Sequence, residues 1–197
     1  YLFYGDQADC IDTIVDEVAI DAVFYNRDYT PFSGKRDAAI AKICAARGVA
    51  VVACNDLLLQ EPEMVKTGGG TPYKTYTPFF KAARMVPVEK PHEQPDAHWY
   101  TAAITSAQKK DLYTQLVPER TTQLLVRGTH QEAEEILHSL RQFAHYATER
   151  NIPSLATTHL SAYLKFGLVS IRQAYYALIK AVGVHNPLIA QLYWRDF

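Results

Sequence analysis

Two apolar runs, DAVFYN at 21–26 and VAVVACND at 49–56, bracket the amphipathic stretch GKRDAAIAKICAARG at 34–48. No other feature narrows the fold as far. A strand that returns to its sheet in the same direction needs a crossover of a dozen or more residues, and an amphipathic helix supplies it. Gly48 closes that helix. Upstream, QADCIDTIVDEVAI sets Cys10, Ile11, Ile14, Val15 and Val18 at helical spacing, and YLFYG at 1–5 is a further short apolar run. The pattern predicts a parallel sheet of three strands, with DAVFYN buried. So small a sheet, and the lack of an initiator methionine, make the segment read as cut short.

The rest of the chain has a different rhythm. Residues 57–78 look irregular, and a short helix is expected at PFFKAARM. VPVEKPHEQPD then opens a proline-rich stretch, with little periodicity, that runs to about Gly128. A connection that long is uncommon inside one domain, so it reads as a linker. THQEAEEILHSLRQFAHYATER, 129–150, opens with Thr129 and Glu132 at capping-box spacing. Ala133, Ile136, Leu137, Leu140, Phe143, Ala144 and Ala147 mark one apolar helical face. Helices are also expected around LSAYLKFG and SIRQAYYALIKAVG, the second with Ser170 as cap and Gly183 near its end. In the last segment Asn186 caps and Pro187 takes the first helical position, and the helix reaches Phe197 in a way that reads as a cut edge. The expected domains are 1–85 (α/β), 86–128 (linker) and 129–197 (helical).

Composition removes several classes of function. Hydrophobic residues are 48% and charged residues 21% of 197, as in a soluble globular protein. No apolar run approaches the roughly 18 residues of a membrane span, and no signal peptide is visible. A net charge of −1 gives no global basic field for nucleic acid, though a local groove stays open. Three cysteines without a C-x-x-C fit a reducing compartment, with Cys44 and Cys54 expected in the core. Gly68, Gly69 and Gly70 lead into Thr71-Pro72-Tyr73-Lys74, which fails the P-loop pattern and reads as a turn. His138 and His145 stand two helical turns apart, too far to share a metal, and no His/Cys cluster exists in the sequence. No Ser-His-Asp arrangement follows from spacing alone.

ATTHLS at 156–161 brings Thr157, Thr158 and Ser161 to a helix start. Such a cluster either caps the helix or holds a phosphate at its positive end. Trp194-Arg195 is similarly open: core and surface charge, or stacking face and phosphate clamp.

Taken in order, NRDYTPFSGKRD (26–37), GGGTPYKTYTPFFKA (68–82), TTHLSAYLKFGLVS (157–170) and QLYWRDF (191–197) resemble successive signatures of the DNA photolyase and cryptochrome family. The resemblance covers nearly the whole chain. It implies part of a Rossmann-like parallel α/β domain, joined by a long linker to the first helices of a helical FAD-binding domain. Tyr146, Thr157, Thr158, His159, Leu160 and Ser161 match the segment that holds FAD phosphates and ribose. Gln191 and Arg195 match the flavin-contacting helix. Trp194 matches the tryptophan beside the damaged pyrimidines, and so the catalytic position. Arg150 matches a DNA-facing arginine. Ala162 stands where relatives usually carry proline, and His159 where they often carry a basic residue or glycine.

A folate-type antenna is not matched, because Gly69 and Thr71 occupy the places of Asn and Glu. The implied activity is a lyase reaction, light-driven repair of cyclobutane pyrimidine dimers by electron transfer from reduced FAD. Alternatives are repair of (6-4) photoproducts, toward which Gln191 in place of Glu leans, or a cryptochrome photoreceptor without repair. The implied setting is damaged DNA as partner, no membrane, no metal, a monomer at full length, and the bacterial cytoplasm or the eukaryotic nucleus. Residues 1–197 alone are expected to be inactive and to bind FAD poorly.

Overall fold

Thr30 and Pro31 start the crossover helix three residues earlier than the apolar pattern predicts. The Thr30 hydroxyl accepts the Ser33 N–H at 3.2 Å, and Pro31 fills the first helical position, where no N–H is needed. The structure, a computed structural model, describes residues 1–92, 96–107, 110–117 and 124–197. In its first part the order is α1 (Gln7–Glu17), β1 (Ala22–Asn26), α2 (Pro31–Arg47) and β2 (Ala50–Cys54). The strands are parallel, in register from Ala22 opposite Ala50 to Asn26 opposite Cys54. Gly48 ends α2 at φ 71°, a left-handed conformation that a side chain disfavours.

Burial follows strand alternation. Val23, Tyr25 and Val51 pack against Ala8, Ile40, Cys44 and Val49. On the other sheet face Phe24 is 67% exposed and Val52 39%. So β1 is covered on one side, not buried on both as its composition predicts. Residues 1–5 form no strand, because they have no ladder partner among the described residues; the Tyr1 hydroxyl instead donates to the carbonyls of Tyr100 and Ala102. Cys44 is fully buried, but Cys54 is exposed, at the end of a strand with one open face. Arg47 ties α2 to α1 through Asp12 at 2.8 Å and Asp16 at 2.5 Å. Glu17 accepts the N–H groups of Thr105 and Ser106, and hydrogen bonds from Ser106 and Thr105 hold its carboxyl down at about 2. The described residues of 1–54 and 94–123 pack as one unit, which includes α4 (Lys110–Leu116).

Residues 55–93 and 124–197 pack as the other unit. Its elements are α3 (Tyr76–Ala83), α5 (His130–His138), a 3-10 turn (Leu140–Phe143), α6 (Tyr146–Glu149), α7 (Leu160–Lys165), α8 (Ile171–Val182) and α9 (Pro187–Asp196). The expected single helix over 129–150 is thus three short pieces. Ser139 N–H bonds to the carbonyls of both Glu135 and Ile136, tightening the chain into the 3-10 turn that seats Leu140 in the core. Ser170 and Gln173 form a complete capping box on α8, and Asn186 caps α9 by accepting Leu188 N–H at 3.0 Å. The core runs through Leu140, Tyr163, Leu178, Leu192 and Tyr193 to Phe79 and Ala83 on α3.

Compact packing divides the chain at 54/55, inside the stretch 1–85 that the sequence groups together, and also within 86–128. The physical reason lies in polar ties from the helices. Arg172, 8% exposed, donates to Asn55 O at 2.6 Å and pairs with Asp56 at 2.9 Å. Ser170 donates to the same Asp56 oxygen at 2.7 Å. The glycine-rich stretch is a hydrogen-bonded turn, with Gly70 N–H on Thr67 O at 2.8 Å.

Candidate functional site

α9 presents Leu188, Gln191, Leu192 and Arg195 on one face, at the i, i+3, i+4, i+7 spacing that aligns side chains along a helix. That face forms one wall of a cavity of about 480 Å³. Facing it are Thr157, Thr158 and His159 from the approach to α7, and Leu160, Ser161, Leu164 and Lys165 from α7 itself. Tyr146 of α6 and Leu178 of α8 complete the lining. Hydroxyls, an ammonium and an amide thus converge on a leucine-lined space, a composition suited to an elongated ligand with polar and apolar parts.

The hydroxyls are not consumed by capping. Thr158 Oγ1 accepts Leu160 N–H at 3.4 Å, a long bond, while the hydroxyls of Thr157 and Ser161 have no hydrogen-bond partner among the described residues. α7 has six residues and no side-chain cap from its own N-cap position, His159. His159 holds φ 49°, ψ 18°, and is the non-glycine residue with positive φ among the described residues. A left-handed conformation costs a side-chain-bearing residue about 1–2 kcal/mol, and strain of this kind collects at ligand-holding turns.

Arg195 is committed to the protein. Its guanidinium donates to the carbonyl of Leu57 and, at 3.4 Å, to that of Leu164. Burial lowers its affinity for the proton, and Asp196 and Asp56 work against that. Asp196 accepts Leu59 N–H at 3.1 Å and Gln60 N–H at 3.0 Å. Burial pushes its carboxyl up to about 6, outweighing those two donors and Arg195. The Arg195–Asp196 pair therefore holds the 57–60 loop and the C-terminal turn of α7 in place around the cavity.

The structure brings together Tyr146, Thr157, Thr158, His159, Leu160, Ser161, Gln191 and Arg195, all on one cavity. It does not bring Trp194 or Arg150 to that lining. Trp194 is half exposed on the neighbouring side of α9, stacked on Tyr76 with ring centroids 3.6 Å apart and planes 8° off parallel. Tyr76 is anchored by its hydroxyl, which donates to Ala190 O at 2.7 Å, and burial pushes that hydroxyl up to about 12. Arg150 is exposed at the end of α6. Sequence reasoning passes over Lys165, Leu178, Leu188 and Leu192. Lys165 lies four residues after Ser161, on the same helix face, and that spacing is a usable signal. Tyr76 carries no comparable signal, since its partner is 118 positions away in sequence (194 − 76).

Comparison with known proteins gives this geometry a context. Residues 1–96 match the DNA photolyase family model. The whole chain aligns at 30% identity over 215 residues with a deoxyribodipyrimidine photo-lyase of Synechococcus, of which it spans 44%. A (6-4)DNA photolyase of Oryza sativa is 30% identical over 98% of the chain and 39% of the relative. Cryptochrome-1 of Gallus gallus is 28% identical over 100% of the chain and 36% of its own length. Among solved structures, an archaeal photolyase from Sulfolobus tokodaii with two FAD molecules superposes with a TM-score of 0.75 at 27% identity, over 99% of this chain and 41% of that one. The chain belongs to the DNA photolyase and cryptochrome family, and it spans less than half the length of these relatives. Its α/β segment followed by helices is the fold of that family. No helix among the described residues is long and apolar enough to cross a membrane.

Proposed function

We propose that the cavity between α7 and α9 holds FAD, and that the protein, at the length of its relatives, repairs cyclobutane pyrimidine dimers in DNA under light. One observation carries the reading. Eight residues matched to FAD contacts by sequence alone line a single cavity, although Tyr146 and Arg195 lie 49 positions apart (195 − 146). The donor set fits a dinucleotide. Thr157 and Ser161 have hydroxyls to spare for phosphate oxygens, and Lys165 adds a positive charge beside them. Leu178, Leu188 and Leu192 exclude water from an apolar ring, and the Gln191 amide can meet its polar edge. Arg195 shapes the site by holding Leu57 and Leu164, and does so in place of a direct clamp.

When bound, FAD supplies a light-absorbing electron donor. The chain's own part is to seat it and to receive the lesion. A dimer must leave the base stack to be reached, and extrusion costs least at a badly stacked step. Trp194, fixed in orientation by Tyr76 and still half exposed, offers a flat wall for the two joined pyrimidines. Arg150, exposed at the end of α6, would meet a phosphate and position the duplex without reading its sequence. A monomer acting on DNA in the cytoplasm or nucleus completes the proposal.

Gln191 supports a second reading. It puts a neutral amide on the cavity wall where many dimer photolyases carry a carboxylate, and repair of (6-4) photoproducts is the alternative. Illuminated full-length protein assayed on DNA carrying each lesion separately decides between them. Repair of cyclobutane dimers is expected. Repair of (6-4) photoproducts alone would replace the first reading with the second, and repair of neither would leave a cryptochrome-type photoreceptor.

A further inference from the structure

α8 has a second lined face. Leu178 points to the cavity already described, whereas Gln173, Tyr176, Ala177, Lys180 and Ala181 line a separate groove of about 520 Å³. Opposite them stand Glu134, Leu137 and His138 of α5 and Arg141 of the 3-10 turn, with Pro91 at the edge. From Gln173 to Lys180 the groove wall rises about 10 Å, two helical turns. That length suits a mononucleotide and is short for a strand of nucleic acid.

The charge of the groove is lopsided. Arg141 and Lys180 make no ion pair among the described residues. The acidic residue present, Glu134, has its carboxylate 3.2 Å from His130 Nε2. His138 donates from Nδ1 to the Glu134 carbonyl at 2.8 Å, which leaves Nε2 as its remaining polar atom. The apolar lining is flat and fixed. Tyr176 donates its hydroxyl to Val88 O, and its ring meets Tyr175 edge-on at 5.3 Å. Ala177 and Ala181 are small enough to leave room above the helix, and Leu137 closes the far side.

We infer that this groove binds a small aromatic anion of the nucleoside monophosphate class, its phosphate on Arg141 and Lys180 and its ring against Tyr176 and Leu137. A guanidinium fork and an ammonium together match a phosphate dianion better than a single carboxylate. The pairing of a rigid ring with small alanines favours a flat partner over a branched aliphatic one. The inference stands apart from the flavin proposal, since the two sites share no residue.

Calorimetric titration of the full-length protein with AMP tests it, with inorganic phosphate and adenosine titrated separately. Saturable AMP binding is expected, with phosphate and adenosine each at least tenfold weaker. The double variant Arg141→Gln/Lys180→Gln replaces two exposed side chains, so its fold is checked by circular dichroism and its affinity is expected to drop at least tenfold. Ala177→Trp fills the groove and is expected to abolish binding. Absence of saturable AMP binding would overturn the inference. So would binding that both variants leave unchanged, or phosphate binding as tightly as AMP.

Discussion

The helical unit and the α/β unit are held together in different ways. In the helical unit Leu140, Tyr163 and Leu178 are sealed in a continuous core, and its polar ties, such as Asp196 on the 57–60 loop, are partly buried. In the α/β unit a small cluster around Ile40 and Cys44 backs one sheet face, and its main polar tie, Arg47 to Asp12 and Asp16, lies at the surface. A tie removed from water fixes site geometry more firmly than an exposed one, because solvent and salt no longer compete with it, even though burying its charge costs the fold free energy. The cavity sits in the unit with the buried ties.

Substitutions on the two sides sharpen this contrast. The largest effect is expected from Leu140→Ala, which empties a fully buried position; about 3–5 kcal/mol should be lost, read as faster amide exchange across α5 and α8. Asp196 comes next. Its folded-state carboxyl titrates at about 6 against an ordinary 3.8. The native state therefore binds the proton more tightly, so the group favours the fold fully below pH 4 and this contribution is lost as pH rises toward 6. The displacement corresponds to on the order of 3 kcal/mol across that window. Asp196→Asn should remove this pH dependence, seen as a flatter plot of melting temperature against pH from 4 to 6. In the thinner core, Ile40→Val should cost about 1 kcal/mol by denaturant unfolding, because the lost methylene borders a loosely covered sheet. The smallest effect is expected from Arg47→Gln: a melting temperature close to that of the parent, with any difference vanishing in high salt. A large loss there, or none at Leu140, would break the comparison.

Much of this was legible because it is local. Asn186-Pro187, Ser170 and Gly48 announce helix ends through bonds that span four residues or fewer. The alternation of strand and helix candidates announces the parallel pair. Periodicity failed over 129–150, since an apolar face at i, i+3, i+4 reads the same whether one helix or three short pieces carry it, and a single Ser139 decides. The unbroken run Ala22 to Tyr25 in DAVFYN, with no polar residue to mark a solvent face, concealed that Phe24 faces outward. At the site, the hydroxyl cluster stood out from its residues at a helix start, and resemblance to signatures supplied its ligand and the α9 positions Gln191 and Arg195. The work of Arg195 and Asp196 was not legible, because the groups they hold, at Leu57, Leu59 and Gln60, are more than 130 positions away. The stack of Trp194 on Tyr76 is invisible for the same reason.

The flavin content of purified full-length protein tests the central claim most directly, that one face of α9 seats the cofactor and the adjoining face meets the lesion. Ser161→Trp, which fills the cavity, is expected to lose most of its flavin absorbance, while Trp194→Ala keeps it and loses affinity for dimer-containing DNA. Full flavin in Ser161→Trp together with depletion in Trp194→Ala would contradict it.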